Sequence, residues 1–348
     1  MNRPTPDIDP KKELAGTYRA LLPVFAVIAL GLGLVWYVGR QTPQTRQGQD
    51  LASRLRGGVE SLGQVDASLR TYVEAKAIDT GLSEPRGIAV GQDGRLYVVG
   101  DKTAKVFDIT GKELLSADLA AEPYCVAADA SGVTYIGFVD HVEVFGPDLR
   151  LESQWAPPAA KAYITCVTVA KEDVWVADAG NRVIHRFDRS GAIRGQVGAT
   201  DRQRGREGLL VPSPHLDVPV NADGTLLVNN PGLRKVQRYS PEGELMGEWG
   251  SAGQTIGGFC GCCNPTDLAL LPDGSVVTSE KGLLRVKVHD PRGNLTAVVA
   301  APADFSKAND SLDLATTPEG DVLVLDRAAK QVRVFMPRAD TTGAEGGS

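Results

Sequence analysis

From about residue 66 to residue 336 the chain runs in short apolar bursts such as "GIAV", "LYVV" and "KVFD", set apart by turns carrying glycine and aspartate. The bursts are rich in β-branched and aromatic residues and alternate in polarity, a pattern that predicts strands. They come in sets of four, and the set recurs with a period of about 40–50 residues. The cores of the six copies read "EPRGIAVGQDGRLYVVG", "EPYCVAADASGVTYIGF", "AYITCVTVAKEDVWVAD", "SPHLDVPVNADGTLLVN", "NPTDLALLPDGSVVTSE" and "NDSLDLATTPEGDVLVL". In each, an apolar run meets a D-G or similar turn. An alternating run follows, then a polar turn, a third run, a second glycine turn and a fourth run.

A four-stranded meander cannot bury both of its faces alone, but several packed radially can. The fold class expected is therefore all-β, a six-bladed β-propeller. The sixth copy ends near its third strand, "QVRVF". The segment "SLRTYVEAKAID" ahead of the first copy is expected to supply the missing outer strand and close the ring. The grammar "P-x-G-I-A-V-x-x-D-G-x-L-Y-V" followed by "R-V-x-x-F-D-x-x-G" resembles the NHL repeat family of propellers. The passages "GQVGATD" and "GEWGSAGQTIGGF" resemble that family's links between blades. The resemblance covers the whole repeat region and implies a fold. It implies no single activity, since members bind protein or RNA and related propellers include hydrolases and an amidating lyase.

Ahead of the repeat and a tail of residues 1–19 lies "ALLPVFAVIALGLGLVWYVG", Ala20–Gly39, without a charge over a span able to cross a bilayer as one helix. Trp36 and Tyr37 sit near its end, where aromatic rings favour the interface. The segment is expected to be an uncleaved transmembrane anchor. The rival, a signal peptide, calls for a shorter apolar core and a small-x-small cleavage site, and "YVGRQTPQ" follows instead. Basic residues balance on its two sides, so orientation rests on the short leading tail, which favours a propeller outside the cytoplasm. Residues 40–65 form a polar linker and residues 337–348 a disordered tail. With 39 Gly and 21 Pro among 348 residues, composition suits a turn-rich β protein. The net charge of -6, spread without long runs, argues against a nucleic-acid partner.

Aligning the copies on their first turn places Gly87, Cys125, Cys166, Asp217, Asp267 and Asp313 in one column, at the start of each innermost strand. These residues should ring one mouth of the central channel. The loop "CGCC" feeds the fifth innermost strand, so Cys260, Cys262 and Cys263 are expected on that same side, and all five thiols are expected to converge there. Their readings remain open: buried packing, disulfides, a thiolate metal site for zinc, copper or iron–sulfur, or a redox pair. Asp217, Asp267 and Asp313 are candidate ligand-binding residues, able to pair with Arg86, Lys281 or Arg285 or to hold a hard cation such as calcium. His215 is the one histidine placed near the mouth; His141, His185 and His289 should not meet. A second column, Gly100, Phe138, Asp178, Asn230, Glu280 and Asp326, ends each second strand, and its polar members should satisfy backbone N–H groups.

No HExxH, nucleophile elbow or phosphate loop is present. The reading is a membrane-anchored propeller that binds a protein or small-molecule ligand at the channel face. The alternative is a metal-dependent hydrolase or lyase, or a thiolate–metal protein, working at the Cys/Asp mouth. A structural spacer is a third possibility.

Overall fold

Strands of four to eight residues joined by Gly turns can pair only with their neighbours, and they do. A computed structural model describes residues 65–203, 205–306 and 311–338. The expected anchor Ala20–Gly39, the linker up to residue 64 and the tail beyond Arg338 lie outside the described residues. Among the described residues no helix is long and apolar enough to cross a membrane.

Six antiparallel sheets follow one another, as the repeats predict. In five of them four strands run in an unbroken ladder, whose innermost members are Pro85–Val90, Cys125–Ala128, Ile164–Ala170, Asp267–Leu270 and Asp313–Thr316. The sixth sheet contains both ends of the repeat region: Tyr72–Asp79 pairs with Gln331–Pro337, from Tyr72 opposite Pro337 to Asp79 opposite Gln331. Backbone bonds continue past both ends of this ladder, from the Thr80 N–H to the Lys330 carbonyl and from the Arg338 N–H to the Thr71 carbonyl.

Blade four departs from the pattern. Its ladder has three strands, Leu226–Asn230, Lys235–Tyr239 and Leu245–Trp249. The innermost segment is held by a single bridge between Val220 and Leu226. Pro219 has no N–H to donate to a ladder. The Asn229 side chain takes over, accepting from the Asp217 N–H at 2.7 Å.

Because both faces of each sheet are apolar, the core is divided into six, one between each pair of neighbouring blades. In Leu226–Asn230 the alternation is direct: Leu226 and Val228 pack toward blade three, Leu227 toward blade five. The seam between blades four and five has the smallest apolar core, with Leu227, Val236, Phe259, Leu268 and Val276 buried. Polar side chains fill the rest of that region. Glu280, Arg285 and Lys287, all on blade five, have no exposed side-chain surface. Glu280 accepts from Arg285 at 2.7 Å and lies 2.9 Å from Lys287. The two cations also donate to carbonyls of Thr255, Ile256 and Gly258, which fixes the loop leading to the cysteine turn.

Candidate binding site at the channel mouth

The expected ring exists, and most of its hydrogen bonding is structural. Each aspartate reaches across a seam and accepts from the next innermost strand. Asp217 takes the Leu268 N–H at 2.6 Å, Asp267 the Leu314 N–H at 2.5 Å and Asp313 the Ile88 N–H at 2.6 Å. The next member is Gly87, where a Cβ would stand 3.0 Å from the Cys125 Cα, so this seam closes too tightly for a side chain. Cys125 packs against Val167 across the next seam, and Cys166 lies 3.6 Å from the Thr168 hydroxyl. The column is therefore a belt of staples between blades.

Burial sets the charge of this belt. It pushes the Cys125 and Cys166 thiols well up, with the aspartates adding to the effect. It also holds Asp267 well above the usual carboxylate range, reinforced by Asp217 and Asp313. Asp313 is pushed up to about 7 by burial, against the pull of Arg327 and the Ile88 N–H. Burial thus favours the protonated forms of Asp267 and Asp313.

The belt divides the channel. On the turn side lies a cavity of about 410 Å³, lined by five of the six ring residues, Cys125, Cys166, Asp217, Asp267 and Asp313. On the strand-start side lies a recess of about 190 Å³, with Asp267 and Asp313 at its floor and Arg86, Tyr124, Tyr163, His215 and Arg327 among its walls. His215 and two of the three candidate aspartates thus share the recess, while Asp217 lines the other side.

The recess walls are cationic and aromatic. The Arg86 guanidinium stacks 5.0 Å above Tyr124, whose ring meets Tyr163 edge-on at 5.5 Å. Arg327 donates to the Arg86 carbonyl at 2.6 Å and to Ser311 at 3.1 Å. The Nε groups of both arginines are buried and make no hydrogen bond among the described residues, though Arg86 Nε lies 3.9 Å from the Glu122 carboxylate and Arg86 also donates to Glu84 at 3.3 Å. Burial, then the charges of Lys281 and Arg327, lower His215 to about 4, so it faces the recess as a neutral imidazole. Of the three cations proposed as neutralisers, Arg86 lines the recess, Lys281 acts on His215, and Arg285 is turned to Glu280. Arg327, Tyr124 and Tyr163 were not singled out from sequence. Arg86 and Tyr124 stand one place before the ring column, so shifting the alignment by one residue reveals them.

The five thiols do not line one cavity. Cys125 and Cys166 line the channel cavity, whereas Cys260, Cys262 and Cys263 lie in their loop, where Glu280 accepts the Cys260 N–H and Asn264 donates to the Cys260 carbonyl. All five are free thiols, and among the described residues no group of three or more His, Cys, Asp or Glu side chains could hold a metal ion.

The second column serves the backbone. Asp178 accepts from Tyr163 and Asn181, Asn230 from Leu210, Glu280 from Cys260 and Asp326 from Ala329. In blade one, where the column holds Gly100, the neighbouring Asp101 accepts from Ser83 and Glu84 instead. The other histidines are apart, as expected. His185 is buried against Asp178 at 3.2 Å; His141 stacks on Phe138, and His289 packs on Trp249.

No protein-family model matches the chain, and no curated protein matches it. Solved propellers do. A streptogramin B lyase structure is similar with a TM-score of 0.55 at 10% identity, covering 78% of this chain and 99% of the other. A protein of unknown function from Bacteroides thetaiotaomicron is similar with a TM-score of 0.56 at 14% identity, covering 77% and 74%. The WD40 propeller domain of Doa1 is similar with a TM-score of 0.51 at 13% identity, covering 72% and 78%. At such identities the likeness is one of fold.

Proposed function

We propose that this chain is a binding protein whose propeller receives the acidic group of a small ligand in the strand-start recess. The carrying observation is the wall chemistry: Arg86, paired only at its outer edge with Glu84 and Glu122, and Arg327, whose Nε makes no hydrogen bond, stand beside the Tyr124–Tyr163 pair and the neutral His215. An anion there would meet two guanidinium groups in a partly desolvated site, where charge-assisted hydrogen bonds are strongest. The floor carboxyls oppose it less than free carboxylates would, because burial raises both and favours their protonated forms. A recess of about 190 Å³ suits a ligand smaller than a drug-sized molecule.

The repeat grammar supports kinship with NHL-type propellers. The uncharged stretch Ala20–Gly39 supports a membrane anchor, with the propeller outside the cytoplasm. Protease accessibility on intact cells, scored against a cytoplasmic control, tests that placement; a protected propeller would reverse it.

The binding reading is tested by titrating the full chain with a panel of small mono- and dicarboxylates, aromatic acids included, and following thermal stability and heat of binding. The expected result is saturable binding by at least one acid, weakened tenfold or more by Arg327→Gln and by Arg86→Gln. Binding indifferent to both substitutions, or no binding across the panel, would defeat it. Metal analysis of the same protein separates the alternative: stoichiometric zinc, copper or calcium lost on Asp267→Asn or Cys166→Ser would favour a metal-dependent role.

A further inference from the structure

Beside the seam between blades four and five, Cys262 and Cys263 hold their sulfur atoms 3.2 Å apart. A tetrahedral zinc, with bonds of about 2.3 Å, would hold two thiolates roughly 3.8 Å apart. A disulfide needs about 2.04 Å. The pair thus stands closer than a shared metal requires and about 1.2 Å short of a covalent bond.

The surroundings are built to hold it so. Cys262 is exposed and Cys263 buried. The Asn264 side chain, itself buried, accepts from the Lys281 N–H at 2.9 Å and donates to the Lys281 and Cys260 carbonyls, which pins the turn. The Lys281 ammonium donates to the Ser213 hydroxyl at 3.0 Å, and both groups act on the Cys263 thiol. Burial alone would push the Cys263 thiol up, but Ser213, Cys262 and Lys281 hold it below the usual value, while Cys263 raises Cys262. Cys263 is thus the readier of the two to ionise, and the singly ionised pair carries its charge on the sheltered sulfur.

We propose that Cys262 and Cys263 form a reversible dithiol–disulfide site that exchanges with small-molecule or protein disulfides. Cys262 gives its proton to Cys263 and attacks one sulfur of the incoming R–S–S–R. That S–S bond breaks, and the departing thiolate takes the proton from Cys263. Cys263, again anionic, attacks the Cys262 sulfur, and the second RS⁻ leaves and is protonated by solvent. The pair loses two electrons, and one disulfide becomes two thiols. Neighbouring Cα atoms stand about 3.8 Å apart across a trans peptide, below the usual disulfide range of about 4.4–6.8 Å, so the ring formed is strained and readily reduced again. Ready reduction marks exchangeable rather than structural bridges. Cys125 and Cys166, with thiols pushed well up, do not share this chemistry.

The test equilibrates the full chain in graded mixtures of reduced and oxidised glutathione, alkylates it, and maps the peptides by mass. The expected result is joint loss of both labels from the Cys262–Cys263 peptide with loss of two hydrogens, reversed by dithiothreitol. Cys260→Ser should preserve this, and Lys281→Gln should slow it several-fold with an unchanged melting temperature. Independent labelling of both cysteines at every ratio, stable glutathione adducts on both, or a link from Cys260 to Cys263 would overturn it.

Discussion

Glu280→Ala is the substitution expected to damage this propeller most for its size. The carboxylate has no exposed side-chain surface, and it is the acidic partner of Arg285 and Lys287, which have none either. It also accepts the Cys260 N–H at 2.7 Å. Removing one member of a buried ionic group leaves the others uncompensated, at a cost of about 3–5 kcal/mol. The lost acceptor for Cys260 adds about 1 kcal/mol or more. For a domain of this size each kcal/mol moves the melting temperature by about 2–4 °C, so a fall of roughly 8–24 °C is expected. Thermal unfolding followed by circular dichroism reads it, with Glu280→Gln as companion. The amide keeps an acceptor for Cys260, so the glutamine variant should recover about 1 kcal/mol of the loss and no more. Because the two cations hold the carbonyls of residues 255–258, alkylation of Cys262 should quicken in both variants. A fall of less than about 2 °C for the alanine variant would refute the reasoning, since it would mean that the cations are solvated or paired elsewhere.

Asp313 should make stability depend on pH. Its native value of about 7 lies above the ordinary 3.8, so the folded state binds this proton more tightly than the unfolded one. The contribution is complete below about pH 4 and is lost as pH rises toward 7. Asp313→Asn, which keeps an acceptor for Ile88, should flatten that slope in melts between pH 4 and 8; an unchanged slope would count against it. His215 and His289, both lowered to about 4 by burial, work the other way, stabilising above pH 6.5 and losing that contribution as pH falls toward 4. Gly137→Ala should cost several kcal/mol, because its Cβ would stand 2.4 Å from the Cys125 sulfur and 3.0 Å from Ile164 at the seam of blades two and three. Full retention of stability by that variant would mean that the seam can open.

Fold and site differed in how openly the sequence declared them. Six blades, their order and closure by the Tyr72–Asp79 strand were legible because period-two alternation and D-G or similar turns recur six times, and each copy corrects the reading of the others. The ring column was legible for the same reason, but its purpose was not. A carboxylate aimed at a ligand and one stapled to the next blade look alike until the Leu268, Leu314 and Ile88 N–H groups are in place. The cysteines misled because register fixes which side of the disc a residue begins on, while the path of an inserted loop is set by the Glu280, Arg285 and Lys287 side chains that grip it. Arg327 and Tyr163 lie in turns or leading segments outside the strand register, and their approach to Arg86 and Tyr124 depends on interblade packing.

The closing ladder has a mechanical consequence. Tyr72 faces Pro337, and the Arg338 N–H meets the Thr71 carbonyl, so both chain ends leave the disc side by side at one end of an outermost antiparallel pair. Tension drawn between them would load the hydrogen bonds one after another, as a zip opens, rather than all together in shear. The first yielding event under force would release a single edge strand and leave five sheets standing.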